Sequence, residues 1–116
     1  MILYGIANCS TVKKARDWLK QNDITVEFHD YKKQGLSAAI AHAWLQQVEW
    51  QKLINRNGLT WRGLDEHRKL QIVDNASALA LMLEKTSVIK RPVLVRNSTV
   101  LHIGFDAESY SKIFTL

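Results

Sequence analysis

The sequence predicts an α/β fold, of the α+β kind, built on a four-stranded mixed sheet with a helical insertion. Three observations carry this. A strand-like run, an amphipathic helix and a second strand-like run follow one another within the first 31 residues. Residues 36–87 then read as short helices with no strand among them. Two β-prone runs and one helix close the chain. At 116 residues it has room for one domain, 1–116, large enough to bury a core without metal or disulfide staples.

Ile2-Leu3-Tyr4-Gly5-Ile6 is a short apolar run and predicts a buried strand. Asn8, Ser10 and Thr11 are helix-start residues, and Val12, Ala15 and Leu19 then recur at helical spacing. Lys13, Lys14, Arg16, Asp17 and Lys20 fill the other faces, which predicts an amphipathic helix over about 10–21. Residues 25–31 alternate and are β-prone, so they predict a second strand. Together these make a βαβ unit, which is expected to be parallel and right-handed.

The insertion begins with an Ala-rich helix over 36–48, followed by a short helix at 50–55 and an Asn57-Gly58 turn. Asp65 is expected to cap a helix over 66–73, and Ser77 to Lys85 predicts another. Val93-Leu94-Val95 and Val100-Leu101-His102-Ile103 flank Asn97-Ser98 and predict a hairpin. Gly104 breaks the second strand, and Asp106 caps a last helix to about 114. The order β-α-β, helical insert, β-β-α is the thioredoxin-like arrangement with an added helical layer.

Composition narrows the function. Apolar residues make up 47% of the chain and charged residues 23%, the balance of a water-soluble globular protein. No run of about 18 apolar residues occurs, so no membrane span is expected. The first residues have no basic leader, so a cytoplasmic location is expected. The net charge of +5 is spread along the chain, with pairs at Lys13-Lys14, Lys32-Lys33 and Lys90-Arg91. That field suits small anions, while no nucleic-acid-binding motif accompanies it. His29, His42, His67 and His102 lie far apart, without metal-ligand spacing, so no metal site is expected.

One cysteine, Cys9, excludes an intramolecular disulfide and a zinc-finger pattern. It follows the first strand and opens the first helix. A thiolate there faces unpaired backbone N–H groups and the positive end of the helix dipole, and both favour the anion. Lys13, one turn on, adds positive charge. In the window Cys9-Ser10-Thr11-Val12 the resolving position of a Cys-x-x-Cys motif is Val12. A second thiolate must then come from outside the chain to close a redox cycle.

Several stretches together resemble the ArsC/Spx family of thioredoxin-fold proteins, most closely its YffB-type members. They are Leu3-Tyr4-Gly5-Ile6 with Asn8-Cys9, Thr11-x-Lys13-Lys14-Ala15, and Phe28-His29-Asp30-Tyr31-Lys32. Further on come Asn55-Arg56-x-Gly58-x-Thr60-Trp61-Arg62-x-Leu64-Asp65, Ile89-Lys90-Arg91-Pro92-Val93 and Gly104-Phe105. The resemblance implies a catalytic Cys9, a cis-proline at Pro92, and Arg91 lining the pocket for an anion or thiol substrate. The site expected around Cys9 is Asn8, Ser10, Thr11, Lys13, Arg62, Arg91 and Pro92, with Arg56 the alternative to Arg62. It implies glutathione-dependent thiol reduction, with glutathione as co-substrate rather than bound cofactor. The alternatives are glutaredoxin-coupled arsenate reduction and an Spx-like regulator that binds a protein partner. Two departures bear on these. Arsenate reductases of the family place an arginine where this chain has Lys13, which lacks the planar fork that grips an oxyanion. Spx-type redox sensing uses Cys-x-x-Cys, and Val12 removes it.

Overall fold

The computed structural model describes residues 1–115. In chain order its elements are β1 (Ile2–Gly5), α1 (Ser10–Gln21), β2 (Glu27–Asp30), α2 (Tyr31–Gln34), α3 (Ala38–Gln47), α4 (Trp50–Leu53), α5 (Leu59–Arg62), α6 (Glu66–Gln71) and α7 (Asn75–Glu84). A 3-10 turn at Thr86–Val88 leads to β3 (Val93–Arg96), β4 (Thr99–Ile103) and α8 (Ala107–Ile113). The chain divides into two compact units, Leu36–Lys90 and the rest.

The sheet unit, Met1–Gly35 with the chain from Arg91 onward, has the strand order β2-β1-β3-β4. β1 pairs parallel with β2 and antiparallel with β3, and β3 pairs antiparallel with β4. The mixed four-stranded sheet is therefore as the sequence predicts. Leu3 and Leu94 face each other across β1 and β3 and are fully buried against Ala15, Leu19 and Tyr110. Trp18, Ile24, Phe28, Leu101 and Phe114 close around them. Asn97 and Ser98 both have positive φ, +48° and +68°, the backbone of a type I′ hairpin turn. That turn matches the twist of the flanking strands.

Val12, Ala15 and Leu19 form the buried stripe of α1, at the expected spacing. Gly5 is what lets the helix come so close to β1. A Cβ on Gly5 would lie 2.9 Å from Val12 Cγ2. Gly5→Ala is therefore expected to push back the first turn of α1 and cost about 1–3 kcal/mol, the usual range for overpacking. Chemical denaturation of the two proteins measures it, and an unchanged midpoint would show that Val12 yields freely.

Several boundaries differ from expectation. The second strand begins at Glu27 rather than Thr25, and Tyr31 belongs to α2 rather than to the strand. The reason is Asp30, whose Oδ1 accepts from the N–H groups of Lys32 (3.0 Å) and Lys33 (3.3 Å) and so starts a helical turn. In the insertion, α7 begins at Asn75 because Asp74 is its cap; Ser77 is the third helical residue, completing a capping box with Asp74. The helix capped by Asp65 stops at Gln71.

The insertion unit is helical, as expected. α3 packs on α7 through Ala41, Trp44, Leu45, Ala78, Leu81 and Met82, all buried. Asn75 Nδ2 donates to the Leu45 carbonyl (3.2 Å). Ile54 and Ile89 form an antiparallel bridge, flanked by Asn55 N–H on Val88 O (2.8 Å) and Lys90 N–H on Leu53 O (2.7 Å). Among the described residues no helix is long and apolar enough to cross a membrane.

Candidate active site

Strand register explains which residues meet at one end of the sheet. β1 runs from Ile2 to Gly5 and continues through Ile6-Ala7-Asn8 to Cys9. Its parallel partner places Asp30 opposite Gly5, so Asp30 and Tyr31 emerge at the same end. Its antiparallel partner places Val93 opposite Tyr4, so Arg91 and Pro92, which precede Val93, also lie there. In α/β sheets ligands are taken up beyond the carboxyl ends of parallel strands, and this is that end of β1 and β2.

Cys9 is the N-cap residue of α1, with extended backbone (φ −148°, ψ 124°), and its carbonyl accepts the first helical bond from Lys13 N–H (2.9 Å). The thiol is partly exposed. Burial alone would push its pKa up. The Val12 N–H, the hydrogen bond and charge of Arg91, and the Thr11 N–H outweigh that, and the thiol is held below its ordinary value. The thiol closes no capping hydrogen bond of standard geometry, so the helix acts on the sulfur through its unpaired amides and not as a tight cap.

Arg91 precedes Pro92 across a cis peptide bond. Pro92 is buried, and its carbonyl accepts from Gly104 N–H at 2.8 Å. Arg91 is only partly exposed and acts on two groups, the Cys9 sulfur and the Tyr31 phenol. Thr11 is half-buried, and Asn8 and Ser10 are exposed beside the thiol in the chain.

Lys13 is placed differently from the sequence expectation. Its ammonium reaches Asp17 Oδ2 (3.4 Å), one turn further along α1, and it lines a groove of about 720 Å³ with Arg16, Lys20 and Phe28. The groups that lower the thiol pKa include the Val12 and Thr11 amides and Arg91. Arg91, which the resemblance places at the pocket, supplies positive charge at the thiol. Arg62, at the end of α5, and Arg56, whose guanidinium lies 5.8 Å from the Trp50 ring centre, both belong to the insertion unit and are exposed.

Sequence reasoning assigns no role to two further residues at the site. Asp30 is only 6% exposed, and besides starting α2 its Oδ2 accepts from Ala7 N–H at 3.2 Å. One carboxylate therefore fastens the loop that carries Cys9 to the end of β2. Burial alone would raise its pKa, but the amides of Ala7, Lys32 and Lys33 and the Lys33 charge bring it below the usual value. The signal is present as an Asp shortly before a Lys-Lys pair at a strand end, a capping pattern. Tyr31, 1% exposed, is the other. Its burial beside Arg91 follows from α2 starting where it does.

Asp30→Ala is expected to destabilise the protein by about 2 kcal/mol, the loss of a helix cap together with a charge-assisted bond. A depressed carboxyl pKa stabilises the fold above the unfolded value of about 3.9, and that contribution disappears as pH falls through the folded-state pKa. The gap between the two proteins should then narrow below about pH 4, which denaturation at several pH values measures. A gap constant with pH would show that the Asp30 charge is irrelevant.

A four-stranded mixed sheet, with a cysteine opening its first helix and a cis-proline opening its third strand, defines a thioredoxin-like domain. The chain belongs to the ArsC family, whose model matches residues 4–113. An uncharacterized protein of Haemophilus influenzae is 38% identical over 112 residues, covering 97% of this chain and 96% of that one. Among solved structures, one described as the YFFB (PA3664) protein superposes with a TM-score of 0.89 at 41% identity, over 97% of this chain and 96% of that one. An arsenate reductase (ArsC) related protein from Brucella melitensis gives 0.79 at 46% identity, over 99% and 94%. Among the described residues no group of three His, Cys, Asp or Glu side chains is arranged to hold a metal ion.

Proposed function

We propose that this chain is a glutathione-dependent thiol reductase in which Cys9 is the single nucleophile. The observation that carries the reading is the pairing of Arg91 with a partly exposed thiol at the start of α1, where the thiolate is favoured. Val12, at the position of a resolving cysteine, is fully buried. The Cys9 thiolate attacks one sulfur of a mixed disulfide between substrate and glutathione. The S–S bond breaks, Cys9 becomes bonded to the glutathione sulfur, and the substrate leaves as a thiolate that takes a proton from water. A second glutathione thiolate then attacks the glutathione sulfur of that adduct. This returns Cys9 as thiolate and releases oxidised glutathione. Arg91 stabilises the thiolate at both ends of the cycle, Asn8, Ser10 and Thr11 offer polar and backbone groups to the tripeptide, and Pro92 lines the site. The reading sets the chain in the cytoplasm, where the glutathione pool is reducing.

Mass spectrometry after incubation with oxidised glutathione tests it. One glutathione on Cys9, removed by reduced glutathione, is the supporting result. An unreactive thiol would sink the proposal and favour an Spx-like regulator.

The second reading is arsenate reduction with glutaredoxin as electron donor. It is favoured by the Brucella melitensis relative, which is described as arsenate reductase related. Lys13 weighs against it, since its ammonium is directed to Asp17 and has no planar fork for an oxyanion. Arsenate-dependent oxidation of glutathione, with and without glutaredoxin, separates the two readings.

A further inference from the structure

The groove between α1 and the edge strand β2 is left unused by the thiol-exchange cycle. Arg16 and Lys20 stand on its helix side, at i and i+4 and so one above the other. Both are exposed, and among the described residues neither is in an ion pair. The Arg16 guanidinium lies over the Phe28 ring, 4.2 Å from its centre, which keeps it beside the strand. Ile24, Val26 and Phe28, all half-buried, supply an apolar floor. Of the acidic residues in the lining, Asp17 is paired with Lys13, and Asp23 lies at the far end, past the C-terminus of α1. At its near end the groove reaches Ala7, in the loop that leads to Cys9.

The strand side offers backbone groups as well. β2 pairs with β1 alone among the described strands, so its other edge is open. Glu27 N–H donates inward to Met1 O at 2.9 Å. Successive residues of a strand turn their amides to opposite sides, so Val26 and Phe28 present N–H and C=O outward. An open edge of this kind pairs with an extended peptide. The charge spacing matches one too. Arg16 and Lys20 are about 6 Å apart along the helix axis, and side chains i and i+2 of a strand are about 6.6 Å apart. We propose that the groove takes an extended acidic segment of a protein, laid along β2 as an added strand with alternate carboxylates on Arg16 and Lys20. A phosphodiester chain has no amides to pair with the strand edge, and Asp17 and Asp23 repel its unbroken charge. The near end of the groove opens at the thiol's loop. With Cys9 as the reactive thiol, on which this step rests, the groove selects glutathionylated proteins whose modified cysteine is flanked by such a segment.

Fluorescence anisotropy of a labelled peptide tests this, the peptide having about ten residues, Glu and Thr alternating and no cysteine. Saturable binding that weakens as salt rises is expected. Arg16→Glu and Lys20→Glu should each weaken it about tenfold, the effect of reversing a surface charge that faces a carboxylate. Lys112→Glu, on α8, makes the same change in net charge and should leave the affinity close to that of the unsubstituted protein. Arg16 and Lys20 stand outside the thiol machinery, so reduction of a small glutathione-linked disulfide should be unchanged in both variants. Unaltered peptide affinity in Arg16→Glu and Lys20→Glu overturns the proposal, and so does an equal loss in Lys112→Glu. Equal or tighter binding of a single-stranded oligonucleotide of the same charge overturns it in favour of a general polyanion site.

A second measurement reads the added strand without any substitution. Hydrogen exchange at the Phe28 amide should slow about tenfold or more when the peptide is saturating. Binding without that protection means docking by charge alone and overturns the strand pairing. Neither measurement needs a reactive thiol. An inert Cys9 would therefore sink the thiol-reductase reading, and the peptide results would still decide what the groove binds.

Discussion

Cys9→Ser is expected to abolish thiol reduction and glutathione adduct formation outright. The chain has one cysteine, so no second thiol can take over. A serine hydroxyl has no accessible anion near neutrality and cannot exchange with a disulfide. The loss is read as the rate of glutathione-linked disulfide reduction and as adduct mass, and it should reach the uncatalysed background. The fold should survive, because the thiol is partly exposed and fills no core position. Stability should nonetheless change with pH. A thiol pKa lowered in the folded state stabilises the fold above the free value of roughly 8.5, and that contribution is lost as pH falls through the folded-state pKa. The unsubstituted protein should therefore gain on Cys9→Ser as pH rises from below the folded-state pKa towards the free value. Residual turnover in Cys9→Ser would move the chemistry to another group, and a stability difference independent of pH would show that the thiolate is not favoured.

How much of the fold and the site is legible in the sequence depends on how local each cause is. α1 is legible over its full length because Val12, Ala15 and Leu19 recur at helical spacing and all three are buried. The β3–β4 hairpin is legible for the same reason, since two β-prone runs flank two residues that tolerate positive φ. The turn at Tyr31 is less so. Its residues alternate like the strand before them, and only the Asp30 side chain, acting on Lys32 and Lys33, bends the chain into a helix. The site follows the same division. The Cys9 thiol and the amides of α1 are neighbours in the chain, so their meeting can be read from spacing. Arg91 reaches them only because Tyr4 pairs with Val93 across the sheet. Nothing in the local pattern of Lys90-Arg91-Pro92 reveals that, and only the resemblance to a family supplies it. Lys13, one turn from Cys9 in the helix, has its ammonium 3.4 Å from Asp17 Oδ2, a pairing that i,i+4 spacing makes legible as well.

Arg91→Ala is expected to have the largest effect of any substitution that leaves the nucleophile in place. Arg91 acts on the sulfur both as a hydrogen-bond donor and as a charge, and these contributions help overcome the rise that burial would cause. Removing them leaves the Val12 and Thr11 amides against an unchanged burial penalty. The thiol pKa should rise, and the thiolate fraction at neutral pH should fall with it. The acid limb of the activity profile, set by thiolate formation, should move up by the same amount. Arg91→Lys keeps the charge and loses the fork. It should recover part of the pKa shift but little of the affinity for glutathione, whose carboxylates suit a planar donor pair. Lys13→Ala is the control. Its ammonium is exposed and paired with Asp17, so the thiol titration should stay close to that of the unsubstituted protein. Stopped-flow alkylation across pH gives the pKa values of all four proteins, and glutathione dependence of turnover gives the affinities. Should Lys13→Ala move the thiol as far as Arg91→Ala does, the positive charge that favours the thiolate comes from α1 and not from the residue leading into β3.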